Sequence, residues 1–342
     1  MGKITVRELA KLAGVSPSAI SVVLNDRPGV SDETREKILS LLKQYNYTLK
    51  PRKESSVAKL RIIKYRAQRN GERELFEDFF SALMDALADE CHKQKFTTII
   101  TSCNEDNVYD TFTEILNNPT DGLFLIGHEF AHECLTILTP LKLQGIPMVI
   151  FDNGSAFKDI NNFSIDNANV AFNAITYLYE RNHRDVGFIT SSSPDYSMSE
   201  RKKGFLEALK FYNLEFQPFI KLTPTIDGAY RDMKKYIGEG NHIPKAVFAG
   251  NDIIALGAMQ ALHEAGLRIP DDVSIIGVDD IAVSSISLPP LTTFRMPIDC
   301  VVDLMISVLK MNLTSAYPHI HTQIGMHIVE RASVKDLRPL AK

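Results

Sequence analysis

The chain has no tryptophan and only four cysteines in 342 residues. Cys91, Cys103, Cys134 and Cys300 are scattered, so none has the close spacing of a zinc or redox motif. They are expected to be reduced thiols in a reducing compartment. No apolar run approaches the roughly 20 residues of a membrane span. Arg7, Glu8 and Lys11 interrupt the N-terminal stretch where a signal segment would be apolar. A cytoplasmic chain with no membrane partner is therefore expected. Neither a cofactor nor a bound metal is expected. A basic excess is also lacking overall, with 38 Lys plus Arg against 42 Asp plus Glu and a formal charge of −4.

That balance hides a strong asymmetry. Between Met1 and Arg69 there are fifteen basic and six acidic residues, a surplus of nine. The remainder holds 23 basic and 36 acidic residues, a deficit of thirteen. A basic head on an acidic body points to nucleic acid, because neutralising phosphates drives such affinity.

The head is patterned as short helices. Thr5 and Glu8 have capping-box spacing. Val6, Leu9, Ala10 and Ala13 share one helical face, and Gly14 permits a sharp break. Ser16 can cap a second helix that begins at Pro17, where a missing N–H costs nothing. Ile20, Val23 and Leu24 form its buried side, which leaves Ser18, Ser21 and Val22 outward. Ser31 caps a third helix carrying Thr34, Ile38, Leu41 and Leu42. This is the pattern of a helix-turn-helix that lays its second helix in the major groove. A helical hairpin inside a larger fold is the plainer alternative.

From Leu60 onward, apolar strand runs alternate with helical patterns. The spacing predicts strands at 60–65, 96–101, 122–127 and 147–151, then at 185–190, 219–222, 246–249 and 273–278. It predicts helices at 75–92, 108–117, 132–143, 168–181, 199–211, 228–237 and 252–265. Two such blocks imply two doubly wound parallel-sheet subdomains with a ligand cleft between them. Pro289-Pro290 and Leu291-Thr292-Thr293 read as a late connection, followed by a helix at 298–312 and a strand at 325–330. The expected division is a head at 1–48, a linker at 49–59 and a body at 60–340. Within the body, one subdomain takes 60–158 and 292–323, the other 159–291 and 324–340.

The chain resembles bacterial lactose-repressor-type (LacI/GalR) transcription regulators over nearly its whole length. The head carries the run Thr5 to Ser16, then Ile20-Ser21, Val23-Leu24-Asn25, Val30-Ser31, Thr34-Arg35 and Tyr45-Asn46-Tyr47. The body carries Asp121-Gly122-Leu123, Ile146 to Val149, Gly204-Phe205, Gly250-Asn251-Asp252, Val278-Asp279-Asp280, Pro290 to Thr293 and Val329-Glu330-Arg331. The resemblance implies an all-α helix-turn-helix head on a periplasmic-binding-protein-like α/β body. It implies a homodimer that represses transcription by binding operator DNA, with affinity set by a small carbohydrate-like effector. Expected DNA-facing residues are Thr5, Ser16, Pro17, Ser18, Ser21, Val22, Asn25, Ser31, Tyr47, Arg52, Ser56 and Val57. Expected effector contacts are Phe79, Phe80, His128, Asp152, Asn153, Phe163, Arg201, Asp252 and Asp279. Each of these also fits a packing, capping or ion-pair role.

The chain departs from the family at three places. Val22 stands where many members carry Arg, so guanine readout gives way to apolar contact with thymine. Ser56, followed by Val57, stands where a Leu usually wedges the minor groove. Either Val57 is a smaller wedge, or the hinge kinks DNA weakly. The stretch 66–74 is longer and more charged than the family's turn, which leaves a charged or phosphorylated ligand open.

Two readings from other classes remain. One is a solute-binding protein without a DNA role. The other is a metal hydrolase on His128-Glu129-Phe130-Ala131-His132, which matches H-E-x-x-H but straddles a strand end and a helix start. A cleft-lining role for His128 or Glu129 fits that placement better. His319 and His321 fall on an expected loop and receive no role.

Overall fold

The computed structural model describes residues 6–24, 29–44, 57–66, 77–127, 132–151, 158–193, 195–314 and 318–339. The head consists of α1 (Val6–Ala13), α2 (Pro17–Leu24) and α3 (Asp32–Gln44). Leu9, Ala10, Ala13, Ile20, Val23, Ile38 and Leu42 form its core. Gly14 turns at φ +71°, a conformation that glycine adopts without a Cβ penalty. Ser16 Oγ accepts from the Ala19 N–H at 3.3 Å, and Ser31 Oγ from the Thr34 N–H at 3.3 Å. Both expected caps are thus present.

The first sheet is built from β1 (Lys59–Arg66), β2 (Thr97–Asn104), β3 (Gly122–Gly127), β4 (Met148–Phe151), β5 (Asn161–Ile165) and β11 (His321–Ile324). Its order is β11-β5-β4-β3-β1-β2, and every pairing is parallel. All six residues of β3 are buried, as a strand covered on both faces requires. The covering helices are α4 (Glu77–Lys93), α5 (Val108–Asn117) and α6 (His132–Leu143). In α5, Val108, Phe112 and Ile115 repeat at helical spacing and are buried.

The second sheet contains β6 (Val186–Ser191), β7 (Ile220–Leu222), β8 (Ala246–Ala249) and β9 (Ser274–Ile276), ordered β7-β6-β8-β9 and parallel. It is flanked by α7 (Asn167–Glu180), α8 (Tyr196–Phe211), α9 (Ile226–Gly238) and α10 (Asp252–Glu264). Each helix starts on a side-chain cap: Asp166, Asp195, Thr225 and Asn251 accept from Asn169, Met198, Gly228 and Ile254 N–H groups. At Gly204, an added Cβ would overlap the Ala168 carbonyl, so glycine sets how closely α7 and α8 approach.

The chain then passes back. β10 (Thr293–Arg295) pairs antiparallel with β12 (His327–Val329), while α11 (Ile298–Thr314) and β11 between them return to the first sheet.

Four sequence expectations change. Residues 161–165 form a strand of the first sheet, so the passage to the second sheet follows Ile165 and not residue 158. Two asparagines open that strand and mask it, but both are buried, and Asn161 bonds the Met148 carbonyl and the Ile320 N–H. Thr293 belongs to a strand and not a loop. His321 likewise starts strand β11. The late strand expected at 325–330 is confined to His327–Val329.

Candidate functional site

At the head, Val22 lies on α2 and is half-buried. Pro17, Ser18 and Ser21 share that helix. Ser16 and Ser31 cap α2 and α3 through the bonds given above, and Ser31 Oγ also lies 2.8 Å from Thr34 Oγ1. Val57, before β1, is 56% exposed. Thr5, Asn25, Tyr47, Arg52 and Ser56 lie outside the described residues.

In the body, a cavity of about 700 Å³ opens beside Phe79 and Ala82 of α4. Its opposite wall is Asp279 to Ala282, after β9, and the stretch Arg295 to Cys300, which leads into α11. His327 of β12 completes the rim. The cavity thus touches the helix over the first sheet, the carboxyl end of the second sheet and the segments between them. Open α/β sheets place ligands at such strand ends.

Of the expected effector residues, Phe79 and Asp279 line this cavity together. Phe79 packs against Phe80 at 5.2 Å and Phe151 at 5.9 Å between ring centroids. Asp279 holds φ +110° and Asp280 φ +52°, left-handed conformations that are costly for residues with a Cβ. Such outliers cluster at functional sites. Burial pushes Asp279 up to about 6, against the pull of Arg201.

Of the other expected residues, Phe80, Phe163, Arg201 and Asp252 are described, and all four are buried. Arg201 is 1% exposed and donates Nε to Asn167 Oδ1 at 2.9 Å and Nη1 to the Gly250 carbonyl. Its Nη2 lies 3.6 Å from Asp279 Oδ1, so it anchors Asp279 from within. Phe80 and Phe163 belong to the apolar core.

Asp252 is fully buried. It accepts from Ser284 Oγ at 2.6 Å, Thr293 Oγ1 at 2.6 Å and the Ile281 N–H at 3.2 Å. Burial, and then the charge of Asp279, push it up to about 7. Its oxygens bind three segments of the cavity wall and its supports, which gives it a positioning role. His128, Asp152 and Asn153 lie outside the described residues.

Sequence reasoning missed Arg295, Met296, Ile298, Asp299 and His327 on the wall. Only their place after the Leu-Thr-Thr connection could have signalled them. Asp280, at the cavity edge, is held by Arg331 and Arg295. The Arg331 N–H and Thr292 Oγ1 lie 2.9 Å apart, and Arg331 Nη1 bonds the Leu291 carbonyl at 2.7 Å.

Glu129 also lies outside the described residues, and α6 is described from His132. Among the described residues, no group of three or more His, Cys, Asp or Glu side chains is placed to hold a metal. Among them too, no helix is long and apolar enough to cross a membrane.

A helix-turn-helix head with a two-sheet body and a cavity at the carboxyl end of the second sheet is the architecture of a ligand-responsive regulator. The pattern described as bacterial regulatory proteins, lacI family, matches residues 5–49. That described as a periplasmic binding protein-like domain matches residues 175–334. The chain thus joins a lacI-type regulatory head to a periplasmic binding protein-like body.

Curated relatives include the HTH-type transcriptional repressor PurR of Serratia proteamaculans, 29% identical over 341 residues and 97% of both chains. The repressor of the same name from Yersinia pestis matches equally, at 29% over 341 residues. Among solved structures, a transcriptional regulator CelR–cellobiose complex matches with TM-score 0.67 and 22% identity, covering 96% of this chain and 99% of that one. The lac repressor dimer bound to operator and the anti-inducer ONPF matches with TM-score 0.67 and 19% identity, covering 97% and 99%.

Proposed function

We propose that this protein is a transcriptional repressor that binds operator DNA as a homodimer and is controlled by a small effector in the body cavity. The observation that carries the reading is the packed helix-turn-helix head, with its glycine break and paired serine caps, joined to a body with a cavity at its strand ends. Repressor names among the relatives support it. Two heads related by a two-fold axis read two half-sites of a near-palindrome.

Ser16, Pro17, Ser18, Ser21, Val22 and Ser31 are the proposed DNA-facing set from the described head. Val57 is the proposed hinge contact, and Thr5, Asn25, Tyr47, Arg52 and Ser56 complete the set. The effector is a carbohydrate-like ring, contacted by Phe79 and Asp279, with Arg201 and Asp252 holding the wall from behind. His128, Asp152 and Asn153 belong to the same proposal. The division at 1–48, 49–59 and 60–340 stands as the working one, with the first passage between subdomains placed after Ile165. The body binds its ligand without transforming it, and the protein works in the cytoplasm.

The test is a mobility shift of the full chain on DNA from its own promoter region, followed by binding selection. A retarded band and a selected near-palindrome are expected, with bases other than guanine tolerated opposite Val22. Absence of any retarded band at low salt rejects the repressor reading. Guanine as the sole tolerated base rejects the proposed apolar readout by Val22.

A further inference from the structure

The loop after β9 supplies Ile281 and Ala282 to the cavity. Further along it, Val283, Ile286 and Leu288 stand 46%, 76% and 90% exposed. Among the described residues, Leu288 and Ile286 are the two most exposed large apolar side chains. The loop itself is fastened. Ser284 is fully buried, and its hydroxyl donates to Asp252 at 2.6 Å. The Leu291 N–H donates to the Ser284 carbonyl at 2.8 Å. The Ile286 and Ser287 N–H groups donate to the Val283 carbonyl at 3.1 and 3.0 Å. Backbone tied in this way holds the three apolar side chains out in fixed positions. From Ile281 to Pro290 the chain carries no charged residue.

We propose that Val283, Ile286 and Leu288 form the centre of the contact between two copies of this chain. This rests on the homodimer reading above and gives it a place on the molecule. A fixed, exposed apolar patch marks an interaction site. The lack of charge selects the occupant. A two-fold contact sets the same patch against itself, so any charge near the axis meets its like. An uncharged apolar surface meets its own copy without that penalty, and it has the low charge of an interface core. The same segment carries Ile281 and Ala282, so the contact also steadies that wall of the cavity.

Light scattering of the full chain tests this. The wild type should show twice the chain mass. The double variant Ile286→Asp, Leu288→Asp should show the mass of a single chain. Its far-UV circular dichroism should be unchanged, because neither side chain is buried within its own chain. Phe211→Asp, at a side chain 71% exposed on α8, should remain dimeric. The milder Ile286→Ser should weaken self-association at least about tenfold, since a two-fold contact loses that side chain twice. Sedimentation reads that change even where the double variant fails to fold. A double variant that stays dimeric, or a Phe211→Asp that dissociates equally, overturns the assignment and leaves the homodimer standing. A wild type that stays monomeric at every concentration overturns the homodimer reading as well.

Discussion

The two walls of the cavity are built on opposite principles. The wall at the end of the second sheet is a polar knot: Asp252 takes three hydrogen bonds, and Asp280 takes two arginines. The wall on α4 is apolar, with Phe79 packed on Phe80 and Phe151. The knot fixes the atoms that a ligand must find, because each buried acceptor has a committed donor. The aromatic wall fixes little direction and supplies area. In the proposed reading, a ligand between them is oriented by one side and desolvated by the other.

Removing the centre of the knot should cost most. Asp252→Ala leaves the Ser284 and Thr293 hydroxyls and the Ile281 N–H without their acceptor, a loss of about 3 kcal/mol or more. Urea unfolding measures it, and a loss below about 1 kcal/mol would mean that the knot does not hold the wall.

The same wall should respond to pH. Burial lifts Asp252 to about 7 and Asp279 to about 6, above the 3.8 of an unfolded Asp. Through that window the folded chain keeps protons that the unfolded chain has released. Stability therefore falls as pH rises from about 4 towards 7, then levels, at up to about 1.4 kcal/mol per pH unit for each group. Asp252→Asn should flatten much of that slope, and an unchanged slope would assign it to other groups.

The aromatic wall should tolerate more. Phe79→Ala removes a half-buried ring and should cost about 1–2 kcal/mol of stability, with a larger loss in ligand affinity. If it destabilised the chain as much as Asp252→Ala, the contrast between the walls would collapse. In the head, Ser16→Ala removes the acceptor for the Ala19 N–H and should cost about 1 kcal/mol, read by thermal melting.

Local chemistry made much of this legible. Gly14, Ser16 and Ser31 announced the head, and the bounds of β3, β8, α5 and α6 follow directly from apolar runs and helical spacing. What stayed hidden is non-local. Nothing near Asp252 tells that Ser284 and Thr293, 32 and 41 residues onward, close over it. A buried acid and a ligand-facing acid look alike in a sequence until the partners are known. β5 and β11 were hidden by polar residues, because Asn161 forms its bonds only after β4 and residue 320 arrive. Arg295 and Asp299 entered the cavity through the return path of the chain, which strand patterns do not specify.

The central claim is that the basic head engages DNA phosphates at an operator. Fluorescence anisotropy on a labelled promoter fragment, repeated across a series of salt concentrations, tests it most directly. The account predicts that log affinity falls linearly with log salt, with a slope of about −5 or steeper for a dimer making several phosphate contacts. An affinity indifferent to salt, or no binding at the lowest salt, would contradict it.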